Sequence, residues 1–200
     1  MSNLTTAKAI TFFDVETTSL DSSKSAILQI SIITDWEDGR QDVWTTKIKP
    51  REVELEFADK EALEICKYSS AEWESAPRFE EVAEIIARRL AWGPIVGHNV
   101  QFDITHVKAS FERRGWKPVE KGQKFDASLK MYKFGYPAID TCALAFLYLP
   151  TQSQNLNSLR DHFGISLERA HDAQTDVEDC REVFYRILAS TTSSHSQDSE

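Results

Sequence analysis

Short apolar runs separated by polar residues occupy the first fifty positions. Residues 8–13 form a β-prone run that ends at Asp14, where a polar stretch rich in Ser and Thr begins. Two further runs, residues 27–35 and 41–49, are rich in Ile, Val, Thr and Trp, and the Asp-Gly pair between them is a strong hairpin signal. The pattern predicts three antiparallel neighbouring strands, with a loop carrying acids after the first.

Helical spacing of apolar residues dominates after position 50. Between Glu56 and Trp92 the chain becomes acidic, and one helix face is outlined by Phe79, Val82, Ile85, Ile86 and Leu90. A brief strand is predicted at residues 94–97. Further helices are predicted at about residues 101–114, 140–148, 156–163 and 172–189. Strands followed by strand–helix alternation indicate a mixed sheet with helices packed on it, an α/β domain without internal repeats.

The composition is that of one folded domain. The chain has 200 residues, of which 41% are hydrophobic and 28% charged, and no run approaches the roughly 20 apolar residues of a membrane helix. We therefore expect one domain over residues 1–190, followed by a disordered polar tail at 191–200. Residues 1–9 lack the pattern of a secretory signal, so we expect a cytoplasmic protein without a membrane partner.

The net charge and the cysteine content exclude some classes of function and structure. A net charge of −9 argues against a protein that coats nucleic acid through bulk charge, but it is compatible with an enzyme that recruits metal ions to meet phosphate. The three cysteines, Cys66, Cys142 and Cys180, are widely spaced and odd in number. They suit neither a disulfide framework nor a zinc site, and we interpret them as buried or incidental thiols.

Two acids, Asp14 and Glu16, flank Val15 directly after the first apolar run. Strand alternation places both carboxylates on one face, where they repel unless a hard cation such as Mg²⁺ or Mn²⁺ lies between them. Chance alone predicts about five acid-x-acid triplets in this composition, and we assign the triplet at residues 52–54 to chance. Only the first triplet follows an apolar strand, so we take it as a candidate metal site.

A second motif spans residues 96–103, where a strand turns through Gly97 into a helix whose first turn carries Asp103. We expect this carboxylate to face the edge of the sheet. Asn99 either caps the helix or contacts substrate, and the two roles are equally compatible with its position. For His98 the residues alone favour a structural hydrogen bond.

A third motif, residues 171–176, places His171 just before a helix and Asp176 in its second turn. By itself His171 is typical of a loop histidine, and Asp172 is typical of a helix cap. A histidine five residues ahead of an acid can reach the same site, so together they indicate a catalytic pair.

These three motifs, in this order, resemble the DnaQ-like exonucleases of the DEDDh branch, which include the proofreading epsilon-type domain. The resemblance spans roughly residues 8–189, including the linking segments at 139–141 and 156–159. It implies a ribonuclease H-like fold, with a mixed five-stranded sheet flanked by helices. It also implies two bound Mg²⁺ or Mn²⁺ ions and the catalytic residues Asp14, Glu16, Asp103, Asp176 and His171, of which the four acids bind metal and the histidine activates water.

Phosphodiester hydrolysis explains why such residues would converge. It needs a hydroxide formed near neutral pH, neutralisation of charge on the phosphorus centre and help for the departing 3′ oxygen, and two ions roughly 4 Å apart supply all three. We expect Asp14, Glu16 and Asp176 to hold the ion that acidifies the attacking water. Asp14 with Asp103 would hold the second ion, near the leaving oxygen. His171 would accept the water's proton, since a reference pKa of about 6.5 leaves imidazole neutral near pH 7.

The resemblance also implies how a 3′ end is gripped. In that family, backbone after the first acid pair meets the terminal sugar and an apolar side chain wedges between the last two bases. Thr17, Thr18 and Leu20 stand at those places here, with Leu20 as the apolar side chain. Phe102 either stacks in the cleft or is a core aromatic. The predicted substrate contacts are Thr17, Thr18, Leu20, His98, Asn99 and Phe102.

Residues 115–136 form a stretch longer than the family resemblance leads us to expect. From Ile104 to Gly135 there are eight Lys and Arg residues against three acids, a local balance of +5. The interleaved aromatics Trp116, Phe125, Tyr132 and Phe134 either stack on bases or belong to the core beneath a solvated basic face. The acidic region between Glu52 and Glu84 is not expected to touch phosphate.

Taken together, the sequence predicts a metal-dependent 3′–5′ exonuclease that releases nucleoside 5′-monophosphates from single-stranded or frayed 3′ ends. We expect DNA as the substrate rather than RNA, although no residue decides the sugar. Alternatives are an exoribonuclease, a short-oligonucleotide nuclease, or an accessory proofreading subunit that partners a polymerase or another replication or repair protein. An inactive binding module is not supported, since every catalytic position holds a competent residue.

Overall fold

The computed structural model describes residues 8–149, 153–167 and 172–194. Five strands form one mixed sheet in the order β3-β2-β1-β4-β7, and two very short strands pair separately. The strands are β1 Ala9–Thr17, β2 Ile27–Trp36, β3 Gln41–Lys47, β4 Ile95–Gly97, β5 Lys117–Pro118, β6 Met131–Tyr132 and β7 Ala138–Asp140. The helices are α1 Glu52–Leu55, α2 Lys60–Ile65, α3 Ser70–Trp73, α4 Phe79–Arg89, α5 Val100–Glu112, α6 Thr141–Tyr148, α7 Leu156–Phe163 and α8 Ala173–Ser194, with a 3₁₀ turn at Ala127–Leu129.

The predicted antiparallel pairing of the first three strands is confirmed. β1 pairs antiparallel with β2, and β2 with β3. Gly39 lies in the turn between β2 and β3 with φ of 84°, a left-handed conformation that favours glycine. β4 and β7 add in parallel on the other side of β1, so the sheet is mixed, as predicted. β7 did not emerge from the pattern because three residues are too few to show a period.

β1 differs from the prediction in one respect that matters for the site. The sequence placed a loop after Asp14, but the strand continues to Thr17, and Asp14 and Glu16 pair with Ser31 and Gln29 of β2. The acids are therefore held by the ladder of hydrogen bonds between β1 and β2, which restricts them more than a loop would.

The helices follow the predicted order. They differ from the prediction in the number of helices before Trp92 and in the length of the last helix. The acidic region predicted between Glu56 and Trp92 consists of three helices, α2 to α4. Its apolar face lies on α4, although Ile85 remains 41% exposed. α8 continues to Ser194, so positions 191–194 of the predicted tail are helical, because no Pro or Gly interrupts the helix there. Residues 195–200 lie outside the described residues, and the single domain over 1–190 stays a prediction.

The two faces of the sheet have separate cores, and β1 contributes to both. Phe13 and Val15 pack in the core beneath α4 and α5, whereas Phe12 packs with Val177 and Phe184 of α8. Because side chains alternate along a strand, Asp14 and Glu16 lie on the same face as Phe12. The acids of β1 are therefore directed toward α8.

The aromatics of the basic stretch belong to the core. Trp116 and Tyr132 are buried, and Phe125 and Phe134 are partly buried against the same cluster. Tyr132 stacks on Phe111 of α5 with ring centroids 5.0 Å apart. The interpretation that these aromatics stack on bases is wrong for the two buried rings, because folding already gives them apolar partners.

The cysteines match the prediction, since all three are free; Cys180 is buried, and Cys66 and Cys142 are partly buried. Among the described residues, no helix combines the length and apolar character that crossing a bilayer requires.

Candidate active site

Three carboxylates meet where the end of β1 faces the start of α8. Asp14 and Glu16 come from β1 and Asp176 from α8, and one oxygen of each lies within 4.8 Å of the others. Phe12 fixes this approach, because its ring packs against Phe184 of α8 with centroids 5.4 Å apart. All three acids are partly exposed, so the cluster opens toward solvent.

Asp103 completes the set from the other side of the sheet. It lies in the first turn of α5 and is 2% exposed. Its Oδ1 accepts a hydrogen bond of 3.0 Å from the backbone N–H of Val15, the residue between the two acids of β1. The structure thus brings together the four acids that the sequence singled out, from strand β1 and helices α5 and α8.

The carboxylates of the site repel one another, and this repulsion acts together with burial to raise the pKa values of Asp14, Glu16 and Asp103. Burial raises the pKa of Asp14 well above its usual range, and the charges of Asp103, Glu16 and Asp176 raise it further. Burial also raises the pKa of Asp103 despite the bond from Val15. For Glu16, burial raises the pKa to about 7, against a hydrogen bond from Cys66 that lowers it.

This donor set fits a hard divalent cation. Carboxylate oxygens are the ligands that Mg²⁺ and Mn²⁺ prefer, and a cation among them would offset the repulsion that raises these pKa values. A soft-metal site would instead gather thiolate ligands. Cys66 is the nearby thiol: it donates to Glu16 Oε2 over 3.2 Å, and burial raises its pKa, so it stays a neutral thiol.

The third motif is partly described. Asp172 caps α8 as predicted, its Oδ1 accepting from the N–H of Thr175 at 3.2 Å, while its Oδ2 accepts from Gln29 of β2 at 3.2 Å. This links the start of α8 to the strand that neighbours the acids. His171 lies outside the described residues, so its role as a general base stays a prediction.

Comparison with known proteins identifies the architecture. The RNase_T family model, described as Exonuclease, matches residues 11–184. The chain belongs to this exonuclease family. The predicted DnaQ-like kinship and ribonuclease H-like fold are thereby confirmed.

The relatives of this exonuclease domain include DNA polymerase III proteins. It is 24% identical over 184 residues to the DNA polymerase III subunit epsilon of Treponema pallidum, covering 90% of the chain and 77% of that protein. It is 29% identical over 181 residues to the PolC-type DNA polymerase III of Pediococcus pentosaceus, covering 88% of the chain but 11% of that polymerase. The chain therefore spans about a tenth of the PolC-type polymerases that it matches.

Solved structures support the fold. E. coli exonuclease I in complex with a dT13 oligonucleotide superimposes with a TM-score of 0.71 at 18% identity, covering 96% of this chain and 43% of that one. Cell-death related nuclease 4 gives a TM-score of 0.63 at 15% identity, covering 92% of this chain and 64% of that one. At these identities the likeness concerns the fold alone.

The exonuclease domain holds the loop after β1 firmly while exposing its tip. Thr17 and Thr18 are buried, and Thr18 Oγ1 accepts from the N–H of Ala26 at 2.9 Å. Arg113, directly after α5, donates to the carbonyls of Ser22 and Ser25, at 2.6 Å each. Leu20 is 81% exposed on this loop, so its apolar side chain is available to a ligand, as the predicted wedge requires.

His98 is held by α6. Burial lowers its pKa to about 4, so the ring is neutral and has one N–H. Nδ1 lies 2.9 Å from Thr141 Oγ1, and Nε2 lies 3.3 Å from Cys142 Sγ. These contacts agree with the structural role that the residues favoured, and substrate contact by His98 stays a prediction.

Asn99 occupies the N-cap position of α5 without capping the helix through its side chain. It adopts a left-handed conformation with φ of 62°, and its side chain makes no capping hydrogen bond to α5. Its backbone N–H donates to Asp140 Oδ1 at 3.0 Å, which fixes the turn between β4 and α5. Because the capping alternative is excluded and the side chain is exposed, Asn99 remains a candidate for substrate contact.

Phe102 is half-buried, which combines its two predicted roles. Its ring packs on the core beneath α5 and lies 4.1 Å from the ring of His106 by centroids. The remaining exposed part can line the cleft beside Asp103.

Sequence reasoning missed one residue of the site, Arg160. Its guanidinium donates to Asp176 over 2.6 Å and is buried between α7 and α8. A signal was present, because Leu156, Leu159, Arg160 and Phe163 follow the i, i+3, i+4, i+7 spacing of a buried helix face. A charged residue on such a face indicates a buried partner.

Proposed function

We propose that this domain is a metal-dependent 3′–5′ exonuclease that removes nucleoside 5′-monophosphates from single-stranded or frayed 3′ ends of DNA. The observation that supports this most strongly is the acid cluster, in which oxygens of Asp14, Glu16 and Asp176 lie within 4.8 Å of one another. Membership of an exonuclease family agrees with it.

The four acids provide a place for two ions. Asp14, Glu16 and Asp176 would hold one, and Asp14 with Asp103 the other. When bound, such ions supply an acidified water and neutralise charge on the phosphate and the leaving oxygen. The protein fixes the acids beforehand, since Asp103 is anchored on the Val15 N–H and Asp14 and Glu16 lie in a paired strand.

Side chains around the cluster would accept the proton of the attacking water and recognise the 3′ end. His171, placed by its motif just ahead of α8, would accept the proton of the attacking water. Leu20, exposed on the loop that follows the acids of β1, would pack against the terminal bases and so select an end over an internal bond. Thr17 and Thr18, which are buried, would act through the backbone of the loop.

DNA is proposed as the substrate because the named relatives point to it. They include DNA polymerase III proteins, and exonuclease I has been solved with a dT13 oligonucleotide. The same relatives support a polymerase or another replication or repair protein as a partner. RNA remains the alternative substrate.

The decisive experiment is a product assay on end-labelled single strands with Mn²⁺, Mg²⁺ or excess chelator. We expect 5′-monophosphates released stepwise from the 3′ end, no reaction in chelator and no cutting of a circular single strand. Parallel DNA and RNA strands of one sequence determine the sugar preference. Digestion in chelator, or cleavage of the circle, would contradict the proposal.

A matched pair of variants locates the activity. Asp14→Asn should abolish it. Glu37→Gln, an exposed acid at the opposite end of β1 in the turn after β2, should retain it. Equal activity in both variants would remove the acid cluster from the reaction.

A further inference from the structure

We propose that Arg160 is a positioning residue for Asp176, so that metal affinity and turnover depend on its guanidinium even though it touches neither metal nor substrate. The inference rests on the proposed metal-binding role of Asp176.

The guanidinium is held on three sides. Its Nη2 donates to Asp176 Oδ1 at 2.6 Å, its Nε to Asp179 Oδ2 at 2.7 Å and its Nη1 to Asn157 Oδ1 at 2.8 Å. The side chain is 1% exposed. A planar fork bound at three corners has a single orientation, and it therefore dictates where the carboxylate of Asp176 lies.

The charges around Arg160 indicate that it orients the carboxylate of Asp176 and does not neutralise it. One guanidinium faces two carboxylates, Asp176 and Asp179, which are 13% and 15% exposed. Asp179 offsets the positive charge, so Arg160 can hold Asp176 without removing the negative charge that a cation would need.

Stability alone does not account for an arginine at this position. Position 160 lies on the buried face of α7 between apolar neighbours, Leu156 and Leu159 before it and Phe163 after it. Buried ion pairs are often replaced by apolar side chains at little or no cost in stability. A guanidinium here is explained by the carboxylate that it orients, one of the three in the acid cluster.

The test compares Arg160→Lys, Arg160→Met and Leu159→Ala. Leu159 is fully buried in the same interface, against Val183 and Ile187 of α8, so its truncation weakens the α7–α8 contact without changing the charges around Asp176. For each protein, Mn²⁺ affinity is measured by titration of the metal alone, the melting temperature is recorded, and kcat is measured at saturating Mn²⁺.

We expect Arg160→Met to weaken Mn²⁺ binding about 10- to 100-fold, the range typical of residues that orient a metal ligand. Arg160→Lys keeps the charge but loses the fork, so it should fall between Arg160→Met and the wild type. Leu159→Ala should lower the melting temperature and leave Mn²⁺ affinity within about twofold of wild type. If Arg160→Met does not fold, the lysine variant decides the matter against Leu159→Ala.

Two failures can be told apart. A wild-type protein that does not bind Mn²⁺ contradicts the proposed function. A wild-type protein that binds Mn²⁺, with Arg160 variants that lose stability but no more affinity than Leu159→Ala, assigns Arg160 a purely structural role and overturns the inference.

Discussion

Three kinds of local contact place the four acids of the site and hold them together against their mutual repulsion. Asp14 and Glu16 are fixed by the β1–β2 ladder, Asp103 by the Val15 N–H and Asp176 by Arg160. Burial and mutual repulsion raise the pKa of Asp14 and of Asp103. The metal-free site therefore destabilises the fold, and removal of one charge should relieve it.

The first prediction concerns Asp14→Asn. This substitution keeps the shape of the side chain and removes the charge that faces three other acids, so the melting temperature in chelator should rise while exonuclease activity falls to background. Thermal unfolding in chelator measures the first effect, and the product assay on end-labelled strands measures the second. In Mn²⁺ the wild type should gain stability and the variant should not. A variant that is less stable than wild type in chelator would contradict the repulsion argument.

The second prediction concerns pH. In the folded, metal-free protein the pKa of Glu16 is about 7, raised from 4.5 chiefly by burial. Between these values the folded state binds more protons than the unfolded state, so the free energy of unfolding should fall as pH rises from 4.5 to about 7. Asp14 and Asp103, whose pKa values are also raised, act in the same direction.

The measurement is the melting temperature in chelator across this pH range, for the wild type and Glu16→Gln. The variant should show a shallower decline because one titrating group is gone. Parallel curves for the two proteins would show that Glu16 does not titrate as its burial requires.

At the scale of elements, three segments pack closely at the end of the sheet where β1 begins. They are the turn after α4, the start of β1 and the residues before β7. The turn after α4 passes so near the start of β1 that a Cβ on Gly93 would overlap the carbonyl oxygen of Ala9. Gly135 approaches the same turn, and its N–H donates to Leu90 at 2.7 Å. These contacts bring β4 and β7 alongside β1, and hence Asp103 beside Asp14.

The third prediction tests this packing with two glycines of similar conformation. Gly93 and Gly115 have φ of +64° and +75°, but a Cβ on Gly115 meets nothing within 4 Å. Gly115→Ala should cost about 1–2 kcal/mol of unfolding free energy, from the left-handed backbone alone. Gly93→Ala should cost clearly more because backbone must also shift. Urea unfolding measures both, and equal losses would mean that the contact with Ala9 is unimportant.

At the scale of the whole molecule, Lys133 of the basic stretch lies far from the acid cluster. Lys133 Nζ is 4.9 Å from the ring centroid of Trp92, next to Gly93 and the start of β1. Asp14 lies five residues further along β1, roughly 17 Å at the usual strand rise. A nucleic acid bound at the cluster could meet Lys133 only beyond its terminal nucleotides.

The fourth prediction follows from that distance. Joint replacement of four lysines of the stretch by Ser should leave cleavage of a dinucleotide unchanged and weaken binding of longer strands. The positions are Lys121, Lys124, Lys130 and Lys133. Each lost phosphate contact should reduce the slope of log affinity against log salt by about 0.7. An unchanged slope with long strands would mean that the lysines only solvate the surface above Trp116 and Tyr132.

The sequence by itself determined the features that depend on local patterns. Alternating apolar runs and an Asp-Gly turn predicted the β1–β2–β3 pairing, and helical spacing predicted α4 to α8, because both signals lie within a few neighbouring residues. The three motifs, taken in order, also singled out Asp14, Glu16, Asp103 and Asp176. Such motifs are readable because metal chemistry restricts the residue types.

Only the tertiary structure decided the features that depend on contacts between distant segments. The ladder with β2 extends β1 through the acids, and packing on Phe111 turns Tyr132 into a core residue. The pairing of Arg160 with Asp176 joins two helices, so its partner could not be read from spacing along either one. Local periodicity reports which face of an element is buried, but the partner on that face is determined by how the elements pack.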